Sequence, residues 1–399
     1  MGIFKDSVIQ SLDHGRVARC AKCGLYQRCN SPKMAVTGKG KRKVLVVAEA
    51  PGAEEDKQGV QLIGKAGQKL RSIMERLDWD LDRDCWKTNA CICRPENNRM
   101  TDAYIEFCRP MLFSTIDKLH PDVIILLGTS AVKSLIGRYW KSIASLEPWV
   151  GWRIPFQPLN AWVCPTYHPS YLERMQSPLL DLWFTRHLEK AFELEGKPWE
   201  NTPDWKSKIK LIWSSDEAAE ILCESEYHKA PAISFDFETD RLKPDAKDSR
   251  IVCCSVCWGG KKTIAFPWEG EAIKEMGRLL RSSIPKYGAN IRFEQRWSKV
   301  KLGHGVKAWE WDCVQAAHVL DNRKGITSVK FQGLVRLGLP PWNEEIVKYL
   351  EASGGGNAPN EISKCDLGDL LLYCGIDSLV EYKLAEIQMA QMLENKRNG

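Results

Sequence analysis

Glu49, Glu55 and Asp56 follow directly on an apolar run, Val44-Leu-Val-Val-Ala48, with Pro51-Gly52 between them. A short apolar run bounded by Pro-Gly reads as a buried strand entering a turn. In an open α/β sheet, ligands bind beyond the carboxyl ends of the strands, where a carboxylate can orient or deprotonate a water. Taken alone, the segment suits a solvated acidic loop equally well. A second acidic set lies far downstream. Ser234-Phe-Asp236-Phe-Glu238-Thr-Asp240 puts Asp236 and Glu238 two apart on a strand, so both carboxylates leave the same face. Tyr373 and Asp377 are four apart, on one face of a helix. Hard divalent cations want clustered carboxylate oxygens. Two such cations about 3.5–4 Å apart can stabilise both the attacking and the leaving oxygen of a phosphodiester.

Thiols form a third set. Fifteen cysteines are scattered over 399 residues, too dispersed for the disulfide framework of a secreted domain. Cys20 and Cys23 form a Cys-x2-Cys pair, which supplies two metal ligands from one turn. Such thiolates hold iron–sulfur clusters or a tetrahedral zinc, and spacing does not separate the two. Met1 to Gln10 carries Lys5 and Asp6 without an apolar stretch, so no signal peptide is expected. No apolar run approaches the roughly 20 residues that span a bilayer, and no membrane partner is expected. These features predict a reducing cytoplasm. The formal charge of +6 is mild, with one local cluster at Lys39, Lys41, Arg42 and Lys43. Local clustering matters more than the sum for nucleic-acid binding.

The length suggests two or three domains. Strand-like runs at Val44–Ala48, Val123–Leu127 and Trp162–Pro165 alternate with helical patterns at Ala66–Leu77, Asp102–Leu119 and Leu179–Phe192. That alternation argues for an α/β domain with a parallel sheet and helices on both faces. Glu195 to Asp204 carries two prolines and no apolar periodicity. The expected division is therefore a domain at 1–195, a linker at 196–206 and a domain at 207–399. After the linker, Ile233–Phe237, Ile251–Trp258 and Thr263–Phe266 suit an antiparallel meander, followed by helices ending in Leu367–Met392. Ser353 to Pro359, rich in glycine, reads as a mobile loop.

Taken in order, the first half carries Cys20-x2-Cys23, Glu49, Thr88-Asn89-Ala-Cys91-Ile-Cys93-Arg-Pro-Glu-Asn-Asn-Arg99, Cys108 and Tyr167-His168-Pro-Ser-Tyr171-Leu172-Glu-Arg174. With these motifs it resembles the iron–sulfur, family 4 uracil-DNA glycosylases. The resemblance implies a three-layer αβα domain in which Cys20, Cys23, Cys93 and Cys108 hold one 4Fe-4S cluster. Cys29 and Cys91 are rival ligands that the family pattern disfavours. The implied mechanism is base flipping, with the base read along its Watson–Crick edge. Asn89 offers a donor and an acceptor to that edge. His168 would donate to the uracil oxygen that gains charge. Glu49 or Glu55 would act on the attacking water. Tyr171, Leu172 and Arg174 would form a wedge and phosphate clamp.

The chain departs from this family at three points. Gly59-Val-Gln-Leu62-Ile-Gly64 stands where the family has an aromatic residue on the flipped base. Leu62 gives apolar contact without a ring, and base–aromatic stacking is worth about 1–3 kcal/mol. Ala48 replaces a glycine, and Cys93 to Cys108 is one residue short. The expectation is a weak glycosylase or, alternatively, a DNA- or uracil-binding module without turnover.

Asp236, Glu238, Tyr373 and Asp377 make the second half resemble the 3′–5′ proofreading exonucleases with three acidic motifs and a tyrosine, above all those of bacterial and phage family A DNA polymerases. This implies a ribonuclease H-like domain with a mixed sheet and two Mg²⁺ or Mn²⁺ ions. Asn290-Ile-Arg-Phe293-Glu294 stands at the middle motif, with Glu294 in the aspartate position and Asp312 as the alternative fourth acid. Tyr373 would orient the nucleophilic water. The whole reads as a DNA replication or repair protein acting on single-stranded or frayed 3′ ends, including uracil-containing DNA. It would work in a bacterial or phage-infected cytosol. No polymerase domain is seen in the chain, so a polymerase would be a following domain or a separate subunit.

Overall fold

The computed structural model describes residues 18–224, 229–352 and 354–398. Met1–Gln10, where no signal peptide is expected, and Ser353 of the expected mobile loop lie outside them. The chain divides into two compact units, Met1–Thr202 and Pro203–Gly399.

The first unit is built on five strands: β1 (Val44–Ala48), β2 (Cys85–Asn89), β3 (Val123–Leu127), β4 (Ile154–Phe156) and β5 (Ala161–Thr166), in the order β2-β1-β3-β5-β4. Four run parallel, and β4 closes one edge antiparallel to β5. Both faces of β1 and β3 are buried, which is why these strands read as continuous apolar runs. Val44, Val46 and Ala48 pack in one core with Leu70, Ile73, Phe184 and Leu188 from the helices Lys65–Glu75 and Pro178–Phe192. The helix Thr129–Leu135 packs against β1 and β3 as well.

Two strands of this unit escaped the sequence reading. In β2 the central residue is Lys87, a fully buried lysine ion-paired with Asp82, so the run lacks an apolar signature. In β4 the central residue is Pro155, which an edge strand tolerates because that position need not donate to a neighbour.

The second unit holds β6 (Ile209–Leu211), β7 (Ile233–Thr239), β8 (Ile251–Trp258), β9 (Lys262–Pro267), β10 (Lys286–Gly288) and β11 (Trp309–Asp312), ordered β11-β10-β7-β8-β9-β6. β7, β8 and β9 form the antiparallel meander, while β10 and β11 run parallel to β7 and β6 runs parallel to β9. The helix Leu367–Asn398 lies across β7, β8 and β9. Ser234 Oγ donates to the Ser378 carbonyl at 2.5 Å, and Ser255 Oγ donates to the Cys374 carbonyl at 2.7 Å. Gly375 allows the close approach, since a Cβ there would meet Ile209 Cγ2 at 2.3 Å. On the other face, Ile233, Phe235 and Phe237 join a core with Leu279 and Trp297.

Residues 354–359 differ from the expected mobile loop. Lys243 N–H donates to Asn357 Oδ1 at 2.7 Å, Asn357 Nδ2 donates back to the Lys243 carbonyl at 3.0 Å, and Arg241 donates to the Asn357 carbonyl at 3.2 Å. The glycine-rich composition suggested freedom, but one asparagine fastens the segment to the turn after β7. Among the described residues no helix is long and apolar enough to cross a membrane.

Two candidate active sites

In the first unit, chain order takes β1 to β2 on one side and then to β3 on the other, so the crevice beyond β1 and β3 is where strand order reverses. Such a crevice is where open α/β sheets bind ligands. Glu49 leaves the end of β1 and accepts a 2.6 Å hydrogen bond from Ser130 Oγ, in the first turn after β3. Ser130 escaped the sequence reading; its only signal is the Gly128-Thr-Ser turn that follows an apolar strand. Gly128 has φ +86°, and a Cβ there would lie 3.0 Å from His168 Cβ, so the turn can pass under His168.

His168 caps the helix Pro169–Met175. Its Nδ1 accepts the Ser170 backbone N–H at 3.2 Å and lies 2.7 Å from Ser170 Oγ. Because Nδ1 accepts, the neutral ring carries its proton on Nε2. Burial holds the His168 pKa below its ordinary 6.5, against the opposing pull of the Glu49 carboxylate. A histidine with a lowered folded pKa supports folding above 6.5, and that support is lost as the pH falls through the folded value. Followed by NMR, the ring should therefore titrate below 6.5; a midpoint at or above 6.5 contradicts this arrangement.

Asn89 ends β2, 3% exposed, and its Nδ2 donates to Gln61 Oε1. Gln61 is fully buried, and its Nε2 donates to the Ala35 carbonyl at 3.2 Å. This chain of amides fixes which way Asn89 points. Glu55 is differently employed: its two oxygens accept from the backbone N–H groups of Gly52, Ile63 and Gly64 at 3.1, 2.9 and 2.7 Å. It clamps the loop beside Asn89 rather than facing a water. Leu62 lies in that loop at φ +54°, 6% exposed, within the core formed with Val44, Ala48 and Leu70. Tyr171 stacks on Tyr167 at 5.8 Å, and Arg174 reaches Ser170 Oγ at 3.4 Å. Leu172 does not join them at the surface. It is 1% exposed and packs into the core, so it is unsuited to act as a wedge. A cleft of about 890 Å³ nearby is lined by Lys65, Lys69, Arg76 and Gln176.

Cys23, Cys29, Cys91, Cys93 and Cys108 gather around Leu25, with Cys20 acting on Cys23 as a neighbouring charge. Cys93 Sγ accepts the Lys33 N–H at 3.2 Å, and Cys108 Sγ accepts the Ile92 N–H at 3.4 Å. Burial pushes the Cys93 thiol up to about 12. Among the described residues no three of these sulfurs lie within 4.8 Å of one another. A tetrahedral zinc about 2.3 Å from each thiolate would draw the sulfurs to about 3.8 Å. Thiols gathered around one point suit a metal or an iron–sulfur group.

In the second unit, alternation along β7 turns Phe235 and Phe237 to one core and Ser234, Asp236 and Glu238 towards the helix that carries Tyr373 and Asp377. Asp236, Glu238, Glu294, Tyr373 and Asp377 line one cavity of about 500 Å³. Burial, then the Asp377 charge, pushes the Asp236 carboxyl up to about 7, and burial raises Glu238 and Glu294 too. Asp236, Glu238 and Cys374 place their ligand atoms within 4.8 Å of one another. Carboxylates crowded and desolvated in this way are a fitting cradle for divalent cations.

Lys330 gave no signal in the sequence. Its ammonium donates to both Asp377 oxygens at 2.6 and 2.7 Å and to Tyr373 Oη at 2.8 Å, while Trp342 Nε1 adds a bond to Asp377 at 3.1 Å. An ammonium only donates, so Tyr373 Oη accepts from it and keeps its own proton for a carboxylate or a water. Asp312, the alternative fourth acid, caps the helix Cys313–Leu320 and accepts from the N–H groups of Val314, Gln315, Asn290 and Ile291. Its oxygens are committed to the backbone. Leu242, 69% exposed, stands at the cavity mouth.

Two family profiles match this chain: the uracil DNA glycosylase superfamily over residues 36–193, and a 3′–5′ exonuclease over residues 211–386. The type-4 uracil-DNA glycosylase of Sulfurisphaera tokodaii is 33% identical over 198 residues, covering 47% of this chain and 86% of that protein. That of Pyrobaculum aerophilum is 34% identical over 184 residues, covering 45% and 91%. A DNA polymerase of Bacillus phage SP01 is 21% identical over 327 residues, 74% of this chain and 34% of the polymerase. That match is longer than either unit and so runs through both. The chain thus belongs to the type-4 uracil-DNA glycosylase family through its first unit, and its second unit is a 3′–5′ exonuclease domain.

Proposed function

We propose that the protein trims DNA from 3′ ends with two Mg²⁺ or Mn²⁺ ions held by Asp236, Glu238, Glu294 and Asp377. The observation that carries this reading is the meeting of these acids with Tyr373 in one buried cavity. When bound, the cations supply charge stabilisation to the phosphodiester. Tyr373, held by Lys330, orients the attacking water. Leu242 offers an apolar surface to the terminal base. The domains would span 1–195 and 207–399 around a linker at 196–206. A polymerase, as a further domain or a separate subunit, would supply the ends. The thiol-rich composition suits a reducing cytosol.

In the first unit, Cys20, Cys23, Cys93 and Cys108 would hold a 4Fe-4S cluster, a reading supported by the gathering of Cys23, Cys93 and Cys108 around Leu25 with Cys20 beside Cys23. Asn89 reads the uracil edge, its amide oriented through Gln61. His168 donates from Nε2 to the uracil oxygen that gains charge. Glu49, with one oxygen engaged by Ser130, orients the water with the other. Tyr171 and Arg174 grip the strand, while Glu55 holds the loop.

A second reading, a uracil- or DNA-binding module without turnover, is favoured by Leu62 alone. Uracil release from single-stranded DNA by the cluster-bearing protein separates the two. Low but measurable release is expected, and Asn89→Ala should abolish it. Release unchanged in Asn89→Ala would sink the glycosylase assignment. From sequence, Leu62→Phe should raise release about ten- to a hundredfold through stacking. With Leu62 packed among Val44, Ala48 and Leu70, a ring there overpacks the core by about 1–3 kcal/mol. The expected result is a lower melting temperature and a release rate within about tenfold of wild type, because the two terms are of similar size. A hundredfold gain at unchanged stability would show that Leu62 lines the base pocket rather than the core.

A further inference from the structure

Two carboxylate oxygens in the second unit are buried without a hydrogen-bond partner: Glu294 Oε2 and Glu381 Oε2. Their residues are 3% and 4% exposed, and both line the cavity that holds Asp236, Glu238 and Asp377. A buried oxygen left without a donor is uncommon and costly, above all on a charged group. The other acids of the cavity are engaged. Asp377 accepts from Lys330 and Trp342, Asp236 faces the Cys374 thiol at 3.8 Å, and Asp236 and Glu238 interact with each other.

Glu381 lies one helical turn beyond Asp377, as Asp377 lies one turn beyond Tyr373, so the three share a face of the helix Leu367–Asn398. The charges that act on Glu381 are those of Asp236, Glu294 and Asp377, with Lys330 as the compensating cation. The charge count is informative. Arg241, which also lines the cavity, is paired with Asp248. With all five carboxyls ionised, Asp236, Glu238, Glu294, Asp377 and Glu381, offset by Lys330, carry four formal negative charges, the charge that two divalent cations neutralise.

We propose that Glu381 is a fifth carboxylate of the metal centre, and that the unpartnered oxygens of Glu294 and Glu381 serve one of its two divalent cations. Asp236 and Glu238 serve the other. Glu294 and Glu381 would each offer their ion an oxygen that no protein donor occupies. The inference rests on the nuclease reading above.

The test is a Mn²⁺ titration of the full, metal-stripped chain, with free Mn²⁺ followed by electron paramagnetic resonance. The wild type is expected to bind two ions at the cavity, judged against Asp236→Asn as the background. Glu381→Gln keeps the shape and removes the charge, and should weaken the second ion by about 10–100-fold while the first is retained. Glu381→Asp restores the charge and should recover most of that loss, which also covers the case in which the glutamine variant folds poorly. A glutamine variant that binds both ions as the wild type does, or an aspartate variant no better than glutamine, overturns the proposal. A wild type that binds no more Mn²⁺ than Asp236→Asn and digests no DNA would instead remove the nuclease reading, and this inference with it.

Discussion

Asp236→Ala is expected to reduce 3′–5′ digestion of single-stranded DNA by about a thousandfold or more. Asp236 belongs to the only three-donor set, with Glu238 and Cys374, whose ligand atoms lie within 4.8 Å among the described residues. Its charge also acts on Glu294 and Glu381. Losing it would remove a proposed metal ligand from the cavity. A metal's transition-state stabilisation is several kcal/mol, and each 1.4 kcal/mol or so is tenfold in rate. Tyr373→Phe leaves every carboxylate in place and removes only the hydroxyl that meets Lys330 and the water. Its expected loss is about ten- to a hundredfold, at the low end of what a positioned proton-handling group contributes. Because protons and cations compete for a carboxyl titrating near 7, Mn²⁺ affinity should weaken as the pH falls through 7. Steady-state digestion of a 3′-labelled strand measures all three effects. Wild-type rates in Asp236→Ala would refute the assignment of the cavity as the nuclease centre.

Cys93→Ser should leave a colourless first unit with a melting temperature lower by about 10–20 °C, if the loss is about 4–5 kcal/mol as for other removed metal sites. The reason is compositional. The core around Cys93 has Leu25 as its one buried aliphatic residue, and the rest of its buried members are Cys91 and Cys93. Such a core buries too little apolar surface to hold the segments 18–34 and 90–108 together. Ligation free energy would replace that missing burial and couple directly to folding. Cys29→Ser and Cys91→Ser should keep the colour, since neither belongs to the proposed ligand set. Iron and acid-labile sulfide, measured on anaerobically purified protein beside the melting curves, report the result. One zinc per chain and no iron in the wild type would replace the cluster with a structural zinc site.

Much of the architecture was legible because burial writes a period into the chain. β1 and β3 are covered on both faces and appear as unbroken apolar runs; the helix Asp102–Leu119 was bounded correctly, with Thr101 as its cap. The acids of β7 were legible because alternation on a strand is a local property: Asp236 and Glu238 must share a face, and Tyr373 and Asp377 must share another. What the sequence alone determined, then, was the pair of domain types, the identities of the chemical groups and the faces on which neighbouring groups lie.

The tertiary structure decided which of those groups are free to act. Glu49 and Glu55 look alike in the chain, yet Glu55 is committed to three backbone amides and Glu49 to one hydroxyl. Glu294 and Asp312 were rivals until the backbone satisfied Asp312 and left a Glu294 oxygen buried without a partner. Lys87 hid β2, Ser130 was marked only by the turn after β3, and Gln61 and Lys330 carried no local signal. Three of these residues meet partners at least 28 residues away: Gln61 meets Asn89, Ser130 meets Glu49, and Lys330 meets Tyr373 and Asp377. Hydrophobic periodicity is set by each segment's own burial and survives in one dimension. A hydrogen bond or a charge contact between distant segments exists only once the chain has folded, so the roles it assigns are settled in three dimensions.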